Sequence, residues 1–159
     1  MKETSVRCAT EDDIPEIVRV INAAYRVEDF FVRGNRTNAE DVAARMTTPG
    51  GCFIVADSGD GLLVAATSVD VRDDRGHFGM LSVDPSVQGK GYGRIMIDAV
   101  EAHCRKAGCA HLDIEVVNLR EELPAFYERF GFVTTTTAQF SDPGKLTREA
   151  HLVLMTKPI

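Results

Sequence analysis

The spacing of apolar residues along this chain switches between a period near two and a period near three and a half. Each switch marks an element boundary. Residues 5–9 alternate as a short strand. Thr10 and Asp13 then stand as a helix cap, Pro15 is tolerated in the first turn, and Ile14, Ile17, Val18, Ile21 and Tyr25 recur at helical spacing. Residues 26–37 mix Arg26, Phe30, Phe31, Arg33, Gly34 and Arg36 without a period and read as a loop or broken helix. Helical spacing resumes over 38–47 and stops at Pro49-Gly50-Gly51.

Three strands follow at 52–57, 62–71 and 76–84, joined by Ser58-Gly59-Asp60-Gly61 and Asp73-Asp74-Arg75-Gly76. Turns this short predict an antiparallel meander. A helix over 91–107 shows a polar face of Arg94, Asp98, Glu101 and Arg105 against Met96, Ala99, Val100, His103 and Ala107, and ends at Gly108. Residues 110–117 are a strand, 121–130 a helix with acidic residues and Pro124 at its start and Gly131 at its end, and 132–138 and 149–156 are closing strands. The order is β-α-α-β-β-β-α-β-α-β-β. The strand–helix–strand unit from 76 to 117 requires a parallel crossover, so the expected fold class is α+β, a mixed, mostly antiparallel sheet.

Length and composition bound this picture. The 159 residues fit one domain, 1–159, and 44% hydrophobic content supplies a core. No apolar run is long enough for a membrane helix, and Met1-Lys2-Glu3-Thr4 leads into a strand without the pattern of a secretory leader. Cys8, Cys52, Cys104 and Cys109 form no C-x-x-C pair; Cys8, Cys52 and Cys104 fall inside apolar patterns, and the cysteines read as buried free thiols, which points to a cytoplasmic protein with no disulfide and no metal site. A net charge of −6 argues against nucleic acid as the main partner and suits a cationic or amine ligand slightly better than an anion.

The candidate chemistry is concentrated at 81–94. Leu81-Ser82-Val83-Asp84-Pro85 closes a strand, Gln88-Gly89-Lys90-Gly91-Tyr92-Gly93 is a glycine-rich turn, and a helix begins near Arg94. Strand, glycine turn and helix together aim free backbone N–H groups at a phosphate, though a glycine turn also serves as a plain connection. The turn lacks the Lys-[Ser/Thr] ending of a P-loop. Its third glycine comes one residue too early for a dinucleotide fingerprint.

Val83 through Gly93, read as V-x-P-x-x-Q-G-x-G-x-G, resembles the acetyl-CoA pyrophosphate loop of the GCN5-related N-acetyltransferases (GNAT). Asn118 followed by Ala125-Phe126-Tyr127-Glu128-Arg129-Phe130-Gly131-Phe132 resembles that family's second motif, with eight residues between Asn118 and Tyr127, two more than its usual form. The resemblance implies a sheet in which the strands at 76–84 and 110–117 run parallel and splay apart, and an acetyl-CoA-dependent N-acetyltransferase acting by direct transfer in a ternary complex. Backbone groups of Leu81, Ser82 and Val83 would hold the pantetheine arm. Gln88, Gly89, Lys90, Gly91, Tyr92, Gly93 and Arg94 would hold the pyrophosphate, with Asn118 as a further cofactor contact. Tyr127 would protonate the departing thiolate.

The base is open between His77, with Gly79, Leu81 and Val83 on its strand face by period two, and Glu115 or Asp113 on the neighbouring strand. Tyr25, Phe30, Phe31 and Arg33, with Phe140, Asp142 and Arg148, are candidates for the acceptor site. The expected acceptor is a small-molecule primary amine. A protein or peptide acetyltransferase and a non-catalytic acyl-CoA-binding module are the rival readings. The final hairpin offers an edge for a homodimer.

Overall fold

Side-chain caps and glycines set the helix boundaries. The Thr10 N–H donates to the Asp13 carboxylate at 2.8 Å across a single 3-10 turn, and helix α1 (Ile14–Ala24) follows. Asn38 Oδ1 accepts the Asp41 N–H at 2.8 Å and starts α2 (Ala39–Thr47). The computed structural model describes residues 4–159. Its strands are β1 (Ser5–Cys8), β2 (Gly51–Asp57), β3 (Leu63–Arg72), β4 (Arg75–Val83), β5 (His111–Val117), β6 (Val133–Gln139) and β7 (His151–Pro158), and its remaining helices are α3 (Tyr92–Lys106) and α4 (Glu122–Glu128).

The strands form one sheet in the order β1-β2-β3-β4-β5-β7-β6. Every neighbouring pair is antiparallel except β4 and β5, which run parallel. The expected element order and mixed sheet are therefore observed. Apolar side chains leave the sheet on both faces. Ile17, Val20, Ile21 and Val42 of α1 and α2 pack with Phe53, Val55, Ala66 and Met80 on one face. Met96, Ile97, Val100 and Cys104 of α3 and Tyr127 of α4 pack with Ile54, Val69, Phe78 and Leu112 on the other. Burying each such large side chain contributes roughly 1.5–3 kcal/mol. A Cβ on Gly76 would collide with Cys104 Sγ, so glycine there lets β4 approach α3 closely.

Two expectations are corrected. Glu101 does not lie on a wet face of α3: it is buried, with Lys157 Nζ at 3.0 Å and Arg105 at 2.6 Å, because β7 brings a cation under the helix. The face shared by His77, Gly79, Leu81 and Val83 does not exist either. Ala66 is opposite Ser82 but Ser68 is opposite Gly79, so β4 carries one extra residue there. Met80 sits in that bulge at φ 52°, a left-handed conformation that costs a non-glycine residue roughly 1–2 kcal/mol. Beyond it the alternation inverts. Leu81 and Val83 pack on the α3 face with Phe78, while Met80 packs on the α1 face.

Candidate active site

The bulge opens the sheet. Parallel pairing of β4 with β5 covers only Arg75, Gly76 and His77 opposite His111, Leu112 and Asp113, and then stops. From Phe78 onward one edge of β4 is free of β5. The Asp84 N–H donates to the Val64 carbonyl at 2.8 Å on the β3 side, so by the period of two Ser82 also faces β3, while Leu81 and Val83 turn their backbone groups toward the gap. The Gly79 carbonyl, displaced by the bulge, accepts from the Thr67 hydroxyl at 2.9 Å and the Ser68 hydroxyl at 3.2 Å. The bulge is thus held by side chains of β3 where the ladder is interrupted.

The glycine turn lies at the end of this free edge. Gly89 and Gly91 have φ of 82° and 87°, and Gly91 is the residue before the first turn of α3. Only glycine adopts these angles without strain, and the first-turn amides of α3 have no helical acceptor of their own. A Cβ at Gly93 would touch Phe126 at 3.4 Å, which fixes how closely α3 approaches α4. Gln88 Nε2 donates to the Val83 carbonyl at 3.2 Å, tying the turn back to β4. The Arg94 guanidinium lies 4.9 Å from the centre of the Phe130 ring, and the Tyr92 hydroxyl lies 3.3 Å from Thr4 Oγ1. Lys90 is exposed. Asn118 Oδ1 accepts the His151 N–H at 2.8 Å, and the Asn118 N–H donates to the His151 carbonyl at 3.0 Å, so this residue fastens the end of β5 to β7.

A cavity of about 820 Å³ occupies the gap and passes through the sheet. Its lining combines Phe78, Leu81, Ile114, Val116 and Tyr127 from the α3 face with His77, Gly79, Met80 and Glu115 from the α1 face. Tyr127 is 7% exposed, packed edge-on against Phe78, Phe126 and Phe132, and its hydroxyl has no hydrogen-bond partner among the described residues. Burial raises its pKa well above the usual phenol range, so it stays protonated at neutral pH. His77 Nε2 is buried with no hydrogen-bond partner and lies 3.7 Å from Glu115 Oε1. Asp113, the other carboxylate of that face, is held by Arg75 through two bonds of 2.7 Å and by Thr156, and the guanidinium lowers its pKa. It remains ionised and engaged, and is a poor base.

The α1 side of the cavity is built from the aperiodic segment. Tyr25, Glu28, Arg36 and Asp41 line it, together with Phe140 and Asp142 from the segment after β6. Burial pushes the Tyr25 phenol up to about 12. Phe31 is fully buried in the protein, and Phe30, Arg33 and Arg148 lie off the lining, with Arg148 stacked 5.8 Å from the Phe30 ring centre. Of the two phenylalanines, Phe31 anchors this loop in the core, whereas Phe30 is exposed and off the lining.

Glu28, with no sequence signal beyond its place after Tyr25, is central. It is buried, pairs with Arg120 at 2.9 Å, and burial raises its pKa against the pull of that guanidinium. A roof closes the far side: the Arg33 N–H donates to the Lys145 carbonyl at 2.8 Å and the Thr147 N–H to the Phe31 carbonyl at 2.9 Å, flanking a bridge between Val32 and Leu146.

Comparison with known proteins agrees with this architecture. The Acetyltransferase (GNAT) family pattern matches residues 16–132. A mycothiol acetyltransferase of Propionibacterium freudenreichii subsp. shermanii is 34% identical over 146 residues, which is 87% of this chain and 46% of that protein. The chain therefore spans less than half the length of this relative. Among solved structures, the ribosomal-protein-S18-alanine N-acetyltransferase of Escherichia coli superposes with a TM-score of 0.79 at 19% identity, over 99% of this chain and 94% of that one. The yncA acetyltransferase of Salmonella typhimurium, solved with acetyl-CoA, superposes with a TM-score of 0.76 at 17% identity, over 98% and 93%. No helix among the described residues is long and apolar enough to cross a membrane.

Proposed function

The chain belongs to the GNAT acetyltransferase family, and from that premise we propose that it transfers the acetyl group of acetyl-CoA directly to the primary amine of a small molecule. One observation carries the reading: the cavity runs through the sheet, so that Tyr127 from one face and His77 with Glu115 from the other line a single volume. The cofactor enters from the α3 face, with its pyrophosphate at the amides of Gln88 to Arg94 and its pantetheine arm along the free edge at Leu81 and Val83. The amine enters from the α1 face.

His77 takes a proton from the amine, with Glu115 3.7 Å away to favour the resulting imidazolium. The amine nitrogen forms its bond to the thioester carbonyl carbon. As the carbon–sulfur bond breaks, the Tyr127 hydroxyl protonates the thiolate, amide and free thiol leave, and proton exchange through the water-filled cavity returns the imidazolium's proton to the Tyr127 phenolate. Holding both substrates in one volume supplies the proximity that direct transfer needs, with no covalent enzyme intermediate.

The roof formed by residues 31–33 and 145–147 brings Val32 and Lys145 to the cavity lining and walls that side, which supports a small acceptor over a peptide. Glu28, Asp41 and Asp142 beside Arg36 give that pocket both charge signs, which suits a polar amine bearing further hydrogen-bonding groups.

Thiol release from acetyl-CoA across a panel of small amines and amine-terminal peptides tests the reading. Turnover on a small amine is expected, and Tyr127→Phe should lower kcat roughly 10²-fold or more with the KM for acetyl-CoA little changed. Binding of acetyl-CoA without turnover on any amine identifies a sensing module instead. Turnover on peptides alone overturns the small acceptor.

A further inference from the structure

Two cysteines and a histidine that the acetyl-transfer site does not use gather at the other end of α3. Cys8 of β1, Cys52 of β2 and His103 of α3 bring two sulfurs and one ring nitrogen within 4.8 Å of one another, with Cys52 Sγ 3.7 Å from His103 Nε2. Cys104, the next residue of α3, is buried in the same cluster of the core as Cys109. We propose that Cys8, Cys52 and His103 bind a zinc ion as a three-ligand site with its fourth position open to solvent, clipping the β1–β2 edge of the sheet to α3.

The geometry is close to what that ion demands. Tetrahedral zinc with sulfur at about 2.3 Å and imidazole nitrogen at about 2.0–2.1 Å separates its ligand atoms by roughly 3.5–3.8 Å. The Cys52–His103 distance already lies in that range, and the widest separation contracts by about 1 Å, which side-chain rotation alone supplies. Two sulfurs with one imidazole are also the donor set that favours zinc over the hard cations magnesium and calcium.

A disulfide fits less well. Cys8 is opposite Ile54 in the β1–β2 ladder, so Cys52 is its diagonal neighbour. Diagonal Cα atoms lie roughly 7–8 Å apart, beyond the roughly 4.4–6.8 Å a disulfide spans. A bridging ion covers that gap without moving the strands. Cys8 is not the buried thiol its sequence pattern suggests: it lies exposed on the edge strand β1, and with Cys52 and His103 partly exposed the site is accessible. It is separate from the acetyl-transfer site. From Tyr92 to His103 the helix rises about 16 Å, and the cluster lies at the end away from the glycine turn. Sequence spacing hides it because the ligands come from three elements and no two are close in the chain.

Titration of the fully reduced protein with Co²⁺, and then Zn²⁺ as competitor, tests this. One ion per chain is expected, with a near-ultraviolet thiolate-to-cobalt charge-transfer band that Zn²⁺ abolishes. Cys8→Ser, at an exposed position that spares the core, should weaken binding by more than the roughly 10–100-fold that changes around a metal's ligands cost. Cys52→Ser and His103→Gln should do the same. Cys109→Ser should leave both band and affinity unchanged. Zn²⁺ should raise the melting temperature of the wild type and not of Cys8→Ser, while acetyl-transfer chemistry in Cys8→Ser stays at the wild-type rate. The proposal is overturned by the absence of the charge-transfer band in the reduced wild type. Wild-type affinity in a Cys8→Ser/His103→Gln variant overturns it too, as does a Cys8–Cys52 disulfide forming under mild oxidation in a protein that takes up no metal.

Discussion

The glycine turn at the head of α3 and the amine side of the cavity are neighbours built on opposite principles. The turn is local: fourteen consecutive positions, from 81 to 94, contain the free strand edge, the tie from Gln88 to Val83 and the positive-φ glycines. The amine side is assembled from distance: Glu28 meets Arg120 across 92 residues of sequence, and the roof joins 31–33 to 145–147. A local anion cradle depends on backbone conformation. A pocket assembled at long range depends on buried pairs, and these are what adapt it to one acceptor. The two should therefore fail separately, each in the kinetics of its own substrate.

The largest expected separation comes from the buried pair. Arg120→Met removes the ion-pair partner of the buried Glu28 carboxylate. Breaking a fully buried pair costs about 3–5 kcal/mol, and the residual exposure here brings the expectation to about 2–3 kcal/mol of stability. Activity should change through the amine KM, with acetyl-CoA affinity preserved. Glu28 already has its pKa raised by burial, and loss of Arg120 raises it further. The stability penalty is therefore greatest where that carboxyl is charged and shrinks as pH is lowered from neutral and it takes up a proton. Urea melts at successive pH values, read beside both KM values, check this. An equal rise in the KM for acetyl-CoA would break the comparison.

The reverse case is Gly91→Ala. Open space surrounds the added methyl, so only the backbone at φ 87° resists it. That strain is roughly 1–2 kcal/mol, which corresponds to about a tenfold weaker acetyl-CoA affinity if the turn relaxes to relieve it. The amine KM should stay where it was. Isothermal titration with CoA and a two-substrate kinetic grid provide the readout. Between these two extremes stands the base. His77→Gln removes the proposed base from the cavity lining and should lower kcat roughly 10²-fold with the KM for acetyl-CoA little changed, whereas Glu115→Gln, which only removes the carboxylate 3.7 Å away, should lower it less; steady-state kinetics of both variants check this.

How much of this was legible in the sequence follows the same divide. Element order came through because each helix and strand carries its own period and punctuation, as Asn38 and Gly91 do for α2 and α3. The turn came through because glycine at fixed spacing records backbone conformation directly. The face of β4 beyond Gly79 did not, because Met80 is an ordinary residue forced left-handed by the ladder of β3, and nothing in its identity announces a bulge. Glu101 reads as solvated because Lys157, its partly buried partner, arrives from the last strand. Phe30 and Phe31 look like substrate contacts in the sequence because the loop that carries them has no period of its own. In each case the missing information was a contact between distant segments.

The smallest effect tests whether the turn is as self-contained as its sequence suggests. It is held at its root by Asp84, whose carboxylate accepts the Ser86 N–H at 3.0 Å and pairs with Arg19 of α1 at 2.9 Å. That guanidinium, with help from the Ser86 amide, lowers the Asp84 pKa below its ordinary value of 3.8. An acid with a depressed folded-state pKa contributes stability that is fully present above its unfolded value, near 3.8, and is lost as pH falls through the lower folded value. Arg19 is 43% exposed, so solvent screening limits the pair to about 0.2–1 kcal/mol. Asp84→Asn should therefore be less stable than the wild type by that margin at neutral pH, and the two should converge only as pH falls through the folded-state value, which lies below 3.8. CoA affinity should fall by no more than about fivefold, because the glycines and the amides they free are untouched. A fall as large as that of Gly91→Ala would mean that the cradle owes its shape to α1 as much as to its own backbone, and the contrast between a local turn and a long-range pocket would no longer hold.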